Sequence, residues 1–256
     1  DYPEQVAAWM SYVERPPFNL NMFNHWRFYS RPFNLSEGIE FPDNIDADNL
    51  LVNYNGISYY DRDTSAYSIS RFNGDGLRPF PFSLLFKITV HGIIDSYGPL
   101  HASNMYSSEF PNSDRNGRDF PIKFRGKEMS LFDLWETGCG IDDSVTAQFN
   151  KTFWEKIDKF GATLVSKSEI LPNDHNQDVH KSVLEASYNY SVENVYTGIK
   201  KNEEVPNDYI ESCKRYTKES MQKELNDLIS YFICVRLPKY KQRDLPSERD
   251  RYESGP

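Results

Sequence analysis

The chain has 256 residues, of which 38% are hydrophobic and 15% aromatic, so it can bury a sizeable core in a single domain. Its formal net charge of −9 argues against a broad nucleic-acid surface, because phosphate binding depends on clustered Lys and Arg. No run approaches the roughly 18 consecutive apolar residues of a membrane-spanning helix, so we expect no membrane span.

The first third of the chain combines one helical pattern with loop-like sequence. "PEQVAAWMSYVER" carries apolar residues on one side and stops at Pro16-Pro17, which predicts a short helix. Residues 31–47 hold Pro, Asn, Asp and Gly and predict a loop. The following "LLVNYNGISYYDRDTSAYSISRF" is ambiguous, with helix favoured.

The clearest helical pattern covers residues 79–97. Two prolines open this segment and a Gly-Pro pair follows it, while apolar residues recur at helical spacing between them. We therefore predict a central buried helix whose core side includes Leu85, Ile88 and Ile94. His91 and Asp95 are four residues apart, so they share one face of this helix. His101 follows just after the Gly-Pro break.

The second half of the chain predicts mainly helices. Residues 102–118 predict a polar loop, "DFPIKF" a short strand, and "SLFDLWE" a helix capped by its serine. Three long helical patterns follow, within residues 144–165, 178–200 and 207–237. The pattern predicts an all-α class with one domain over residues 1–237. The charged segment 238–256 is predicted to be a tail that lies on another chain or across a groove.

Cysteines and glycosylation sequons say little by themselves. The cysteine spacing fits no zinc knuckle or redox pair, so one disulfide with a free thiol and three reduced thiols both remain open for Cys139, Cys213 and Cys234. A chain this rich in asparagine gives several Asn-x-Ser/Thr sequons by chance. Sequons begin at Asn34, Asn150 and Asn189.

Three motifs occur together in the order of a known enzyme family. "LLFKITVHGIIDSYGPLHAS", "DRNGRDFPIKFRGK" and "SLFDLWETG" resemble the zinc-dependent single-strand nucleases of fungi and plants (the S1/P1 type, related to bacterial zinc phospholipase C). The resemblance implies a helical nuclease/phospholipase C-like domain in which three zinc ions activate a water and clamp a phosphate. It also implies the secretory pathway or another non-cytosolic compartment, an organelle lumen or intermembrane space included.

Four metal-ligand positions of that family are retained in type or nearly so. By the resemblance, His91 and His101 match histidine ligands of different zinc ions, and Asp95 matches a bridging aspartate. The family's Trp-Asp becomes Trp135-Glu136, so Glu136 takes the place of a ligand aspartate.

Four other positions of the family's site are replaced. Ser11 stands where the family has a ligand aspartate, and Arg27 stands where it has a ligand histidine. Ser30 replaces an active-site aspartate and Phe132 replaces another histidine. The other histidines do not supply the missing ligands. His25 is two residues away from the ligand position that Arg27 occupies. His175 and His180 lie in a polar segment that predicts solvent exposure.

No zinc site would keep a full ligand set, because catalytic zinc usually has three protein ligands and structural zinc four. We therefore favour a catalytically inactive nuclease-like protein that binds no cofactor and serves as a subunit among other proteins. One alternative is a divergent nuclease or phosphodiesterase with a reduced zinc site at His101 and Glu136. A second is a binding module for a nucleotide or a lipid head group.

The resemblance also makes a prediction about Arg27. A bridging aspartate without its metals is a buried anion, which is costly unless it is paired. A guanidinium can hold a carboxylate with two hydrogen bonds and stays charged. We predict that Arg27 enters the pocket and pairs with Asp95, leaving His91 to hydrogen-bond a neighbouring carbonyl or carboxylate. The alternative is an ordinary surface arginine.

Overall fold

A computed structural model of the chain describes residues 13, 16–19, 27–35, 87, 90–141, 159, 162 and 177–230. Helices make up most of these residues, so the predicted helical class is confirmed. The elements in chain order are β1 Arg31–Asn34, α1 (described over 90–96), α2 Pro99–Ala102, β2 Ser103–Tyr106, β3 Pro121–Phe124, β4 Lys127–Ser130, α3 Leu131–Glu136, α4 Gln177–Tyr190, a π-helical turn Ser191–Val195, and α5 Asn207–Ser230. None of the helices within these ranges is long and apolar enough to cross a membrane.

A parallel strand pair corrects two loop predictions. β1 falls in the segment 31–47 and β2 in the segment 102–118, yet the two pair in register from Arg31 and Ser103 to Asn34 and Tyr106. Each strand has only four residues and lacks the alternation that marks a strand in sequence. The two strands form only when their distant segments pair in the folded chain. This pairing brings the segment before β1 beside α2.

α1 carries the predicted His91 and Asp95 face. Its other buried face holds Ile93 and Tyr97, which pack against α4 and α5. Ile94 lies between these two faces and is only half-buried, so the prediction that it belongs to the core was wrong. Leu85 and Ile88, the other two predicted core positions, lie outside the described residues.

The helix ends where the sequence predicted. The amide of Gly98 donates to the Asp95 carbonyl at 2.9 Å, and Pro99 then opens α2 because its missing N–H is not needed in a first helical turn. α2 is fully buried and delivers His101 to the interior.

The strand β3 and the helix α3 were predicted from the sequence, whereas β4, which forms a hairpin with β3, was not. β3 and β4 pair antiparallel, and β3 lies within the "DFPIKF" segment. The predicted serine cap of α3 is confirmed, because Ser130 Oγ accepts a hydrogen bond from the Asp133 amide at 3.0 Å. Leu131 and Leu134 are completely buried, and this fixes the side of α3 that faces the core.

Two of the three long helices are confirmed as α4 and α5, while the pattern at 144–165 lies almost entirely outside the described residues. A disulfide joins Cys139, in the turn after α3, to Cys213 on α5. Of the two cysteine arrangements left open, the structure has the one with a disulfide. Cys234 and the predicted tail 238–256 lie outside the described residues.

Candidate functional site

The predicted contact between Arg27 and Asp95 is present. Arg27 precedes β1, and the β1–β2 pairing holds that segment beside α1 and α2. Its Nε donates to Asp95 Oδ2 at 2.8 Å, and its Nη2 lies 3.4 Å from Asp95 Oδ1. The two side chains are 4% and 8% exposed, so this ion pair belongs to the interior. Arg27 is not a surface arginine.

His101 links this pair to Glu136. Its Nδ1 lies 2.9 Å from the Arg27 carbonyl and its Nε2 lies 2.8 Å from Glu136 Oε1. A carbonyl and a carboxylate both accept hydrogen bonds, so both ring nitrogens face acceptors. The protonated imidazolium, which donates from both nitrogens, therefore satisfies this arrangement completely.

The pKa shifts agree with that geometry. Burial raises the pKa of Asp95, but the attraction of His101, His91 and Arg27 outweighs it and lowers the pKa to about 2. Burial lowers the pKa of His101, yet Asp95 and Glu136 together raise it above its ordinary value. Burial likewise raises the pKa of Glu136, and the contact with His101 reverses this and lowers it. These shifts favour the charged forms of Asp95, Glu136 and His101 beside the Arg27 guanidinium.

His91 remains beside Asp95. Its Nε2 lies 3.3 Å from Asp95 Oδ2, the same oxygen that Arg27 Nε holds. This contact lies within its own helix at ion-pair distance and is not a hydrogen bond of Nε2, so the predicted hydrogen bond of His91 stays a prediction. Arg27, His91 and His101 surround one carboxylate from three directions.

Aromatic rings lie against His101. Phe132 is buried with its ring centroid 5.4 Å from that of His101, and Phe28 stacks on His101 at 4.6 Å. The Arg118 guanidinium lies over both phenyl rings, 4.0 Å from Phe132 and 4.6 Å from Phe28. Such cation–π contacts are favourable and close this side of the cluster with apolar groups. Sequence reasoning missed Phe28 and the contacts of Arg118, since their only signal was their position near replaced ligands.

Ser30, one of the predicted replacement positions, is held in a hydrogen-bond network. Ser30 has a left-handed backbone, with φ of 46°. Its Oγ accepts from Asn116 Nδ2 at 3.0 Å, and that amide also donates to the Ser103 carbonyl at 2.7 Å. The hydroxyl is thus fixed by neutral partners. Ser11, His25, His175 and the His180 side chain lie outside the described residues.

The donor set does not fit a zinc ion. Two ligands of one tetrahedral zinc, with bonds of about 2.0–2.2 Å, sit about 3.3 Å apart, whereas His101 Nε2 and Glu136 Oε1 are 2.8 Å apart in a direct hydrogen bond. Asp95 already accepts from a guanidinium, and a second cation there would meet the positive charge of Arg27. Nor does any group of three or more His, Cys, Asp and Glu side chains in the described part of the chain have a metal-binding arrangement.

Comparison with known protein families gives a match. The family model described as S1/P1 Nuclease matches residues 2–224. No curated protein shows significant sequence similarity to the chain. The matched range includes every element of the described fold except the last residues of α5.

Proposed function

We propose, from the premise that this chain belongs to the S1/P1 nuclease family, that it has lost zinc-dependent catalysis and serves as a structural or interaction subunit. One observation carries the proposal: the Arg27 guanidinium holds both oxygens of Asp95, the carboxylate that would bridge two metals in an active relative. The guanidinium supplies positive charge where the family's reaction needs a metal ion.

The charge balance supports this interpretation. Arg27 and protonated His101 offset the carboxylates of Asp95 and Glu136, so the cluster is neutral without a metal. A buried anion stripped of its partner is strongly destabilising, typically by about 3–5 kcal/mol. Arginine therefore allows the fold to keep Asp95 after its metals are lost.

The missing groups support it further. Metal-dependent phosphodiester hydrolysis needs a metal-activated water and a clamp for the phosphate. Phe132 cannot ligate a metal, and Ser30 offers a neutral hydroxyl bonded to an amide instead of a carboxylate. The losses thus affect several metal positions together, which a single compensating ligand would not repair.

A role among other proteins suits the remaining features. The net charge of −9 disfavours nucleic-acid partners, and the charged segment 238–256 has too few apolar residues to build a core of its own. An oxidising, non-cytosolic compartment suits the Cys139–Cys213 disulfide.

Metal content and activity test the loss of catalysis. We expect purified native protein, dialysed against zinc, to hold less than one tightly bound zinc per chain and to leave single-stranded DNA and RNA uncut. Arg27→His should not restore zinc binding, because Phe132 and Ser11 are still not ligands. Two or more tight zinc ions, or nuclease activity that a chelator removes, would favour the divergent enzyme instead.

Native electrophoresis of gently lysed source cells tests the subunit role. We expect the chain to migrate with a larger assembly and to retain that mobility in a chelator. Migration as a free monomer at several salt concentrations would rule out the structural-subunit role while leaving the loss of catalysis standing.

A further inference from the structure

The loop between β2 and β3 contains a chemically reactive dipeptide, Asn116-Gly117. The amide nitrogen after an asparagine can attack the side-chain carbonyl, and glycine obstructs this ring closure least because it has no side chain. Asn116 is nevertheless buried in the folded protein. We propose that Asn116 is a latent deamidation site, which is locked in the folded protein, reacts when this loop opens, and once modified prevents the loop from closing again. The reaction does not depend on the proposed loss of catalysis.

The fold requires glycine at position 117, so the reactive dipeptide cannot easily be exchanged. Gly117 has a left-handed backbone, with φ of 83°. A Cβ atom there would lie 3.1 Å from the Leu100 side chain on α2 and 3.3 Å from the Phe132 amide nitrogen on α3. The Gly117 carbonyl also accepts hydrogen bonds from the amides of Phe120 and Phe132, at 3.3 Å and 3.2 Å. A larger residue would therefore disturb the packing of two helices.

The leaving group of the reaction, the Asn116 side-chain amide, is held in place. Its Nδ2 donates to the Ser103 carbonyl at 2.7 Å and to Ser30 Oγ at 3.0 Å. The backbone amide of Asn116 donates to Asn104 Oδ1 at 3.1 Å. Turning the side chain towards the Gly117 nitrogen would break both bonds of Nδ2, so the folded loop opposes ring closure.

The nucleophile, the Gly117 amide nitrogen, is held as well. Its N–H donates to the carboxylate of Asp114, which also accepts from the Met105 amide at 3.1 Å. Attack requires the Gly117 nitrogen to lose this proton and to develop negative charge beside an acidic side chain. Asp114 is completely buried, so solvent screens that repulsion little. Both reacting groups are thus restrained by the same folded loop.

The reaction needs only water once the loop has opened. A base from the solvent removes the Gly117 amide proton, and the nitrogen forms a bond to Asn116 Cγ. The bond from Cγ to Nδ2 breaks, and Nδ2 leaves as ammonia after taking up a proton. Water then adds to one of the two carbonyls of the succinimide ring and opens it, giving aspartate or isoaspartate.

Either product is incompatible with the closed loop. An aspartate at position 116 has no N–H to donate, so its carboxylate would face the Ser103 carbonyl as a second acceptor. A buried acceptor without a donor and a buried unpaired anion are both costly. An isoaspartate adds a carbon atom to the main chain and displaces the backbone of the loop. A chain that opens and reacts therefore cannot restore the contacts of Asn116.

Peptide mapping by mass spectrometry in heavy-oxygen water measures the reaction, because opening of the succinimide incorporates one labelled oxygen. The full chain is incubated folded and in guanidinium chloride at mildly alkaline pH, with Asn55-Gly56 and Asn73-Gly74 as reference dipeptides. In guanidinium chloride all three asparagines should become labelled at comparable rates. In the folded chain Asn116 should react at least about tenfold more slowly than in guanidinium chloride, because reaction waits for local opening. Equal Asn116 rates in the two states, or an unlabelled Asn116 in guanidinium chloride, would overturn the proposal.

Refolding tests the second part of the proposal. After partial reaction in guanidinium chloride, dilution and size-exclusion chromatography separate refolded chains from those that stay unfolded or aggregate. Modified Asn116 should be depleted in the refolded fraction and enriched in the other. Equal modification of Asn116 in both fractions would show that the loop closes in spite of the change.

Two serine variants form a matched pair in the folded chain. Ser30→Ala removes one acceptor of Asn116 Nδ2 and should raise the folded deamidation rate about fivefold, the factor that corresponds to one neutral hydrogen bond. Ser113→Ala removes a hydroxyl of the same loop that accepts from the Arg115 amide, and it should leave the rate unchanged. Equal rates in the two variants would contradict the restraint of Asn116 by Ser30.

Discussion

Two of the buried aspartates in the described part of the chain are held by different means. Asp95 is held by charge, with Arg27, His91 and His101 around its carboxylate, and its pKa falls to about 2. Asp114 is completely buried among neutral donors, the hydroxyl of Tyr196 at 2.6 Å and the amide of Met105 at 3.1 Å. Burial raises the pKa of Asp114, and these hydrogen bonds lower it only partly.

The difference separates a carboxylate paired with cations from one held by neutral donors. Asp114 fixes a loop to β2 with neutral hydrogen bonds, so its charge is tolerated by the fold. Asp95 sits where cations converge, which is the environment that the proposed function gives to a former metal-bridging carboxylate. Removing one partner from each aspartate should therefore have unequal effects.

The largest effect is expected for Arg27→Ala. It leaves the Asp95 carboxylate buried without its main cation, so the free energy of unfolding should fall by about 3 kcal/mol. Urea denaturation monitored by circular dichroism measures this loss. Asp95→Asn in the same chain should recover part of it, because the stranded charge is then gone.

Arg31→Ala is the matched control. Arg31 also pairs with a carboxylate, that of Glu185 at 2.6 Å, but the two side chains are 41% and 35% exposed. Its removal should cost about 0–1 kcal/mol. Equal losses for the two arginines would mean that Asp95 does not depend on a buried cation, and the contrast with Asp114 would collapse.

The second prediction concerns acid stability. The pKa of Asp95 is lowered from 3.8 to about 2, so its contribution is present above pH 3.8 and is lost as the pH falls towards 2. That contribution is about 2 kcal/mol. Asp114 has the opposite sign, because its raised pKa means that protonation relieves a cost as the pH falls.

Urea unfolding at a series of pH values between 2 and 5 checks these signs. Wild-type protein should lose stability over the lower half of this range, and Asp95→Asn should flatten that part of the profile. A profile unchanged by Asp95→Asn would show that this carboxylate is not held ionised by the cluster.

A smaller loss is expected for Tyr196→Phe. It removes one neutral hydrogen bond to Asp114 and leaves the carboxylate with its backbone donors, so stability at neutral pH should fall by about 1–2 kcal/mol. The loss should change little between low and high salt, because the donor is neutral. If Tyr196→Phe lowered the free energy of unfolding as much as Arg27→Ala, Asp114 would depend on its neutral donor as strongly as Asp95 depends on its cation.

Sequence reasoning predicted the parts of this site that depend on local pattern. The face shared by His91 and Asp95, the serine cap of α3 and the class of α4 and α5 follow from helical spacing and capping. The Arg27 contact followed from matching a family motif and asking how a buried aspartate stays paired. The β1–β2 pairing could not be predicted, because four-residue strands without alternation are defined only by their partner.

The partial exposure of Ile94 and the stack of Phe28 on His101 were missed for a related reason. A helix that packs on two sides has no single apolar stripe, so Ile93 and Ile94 look equivalent in sequence. The positions of Phe28 and Arg118 depend on how separate segments converge around His101. Such convergence leaves no spacing that a sequence pattern can reveal.

The smallest effect on stability is expected for Glu136→Gln, and it isolates the second half of the charged cluster. The Glu136 side chain is 40% exposed, so solvent screens its charge and the loss of stability should stay below about 1 kcal/mol. The glutamine amide can still meet His101 Nε2, so the hydrogen bond survives while the charge disappears. Since Asp95 and Glu136 both raise the pKa of His101, the pKa of His101 should fall in this variant. The stabilisation from its imidazolium is present below pH 6.5 and is lost as the pH rises through the folded pKa, so in Glu136→Gln this loss should begin at lower pH. NMR titration of the His101 ring protons measures the shift directly.

Glu211→Gln is the control, because that exposed carboxylate pairs with Lys214 and should leave His101 unchanged. An unchanged titration in Glu136→Gln would mean that Asp95 alone keeps His101 charged, and the four-residue cluster would reduce to the Arg27, Asp95 and His101 set.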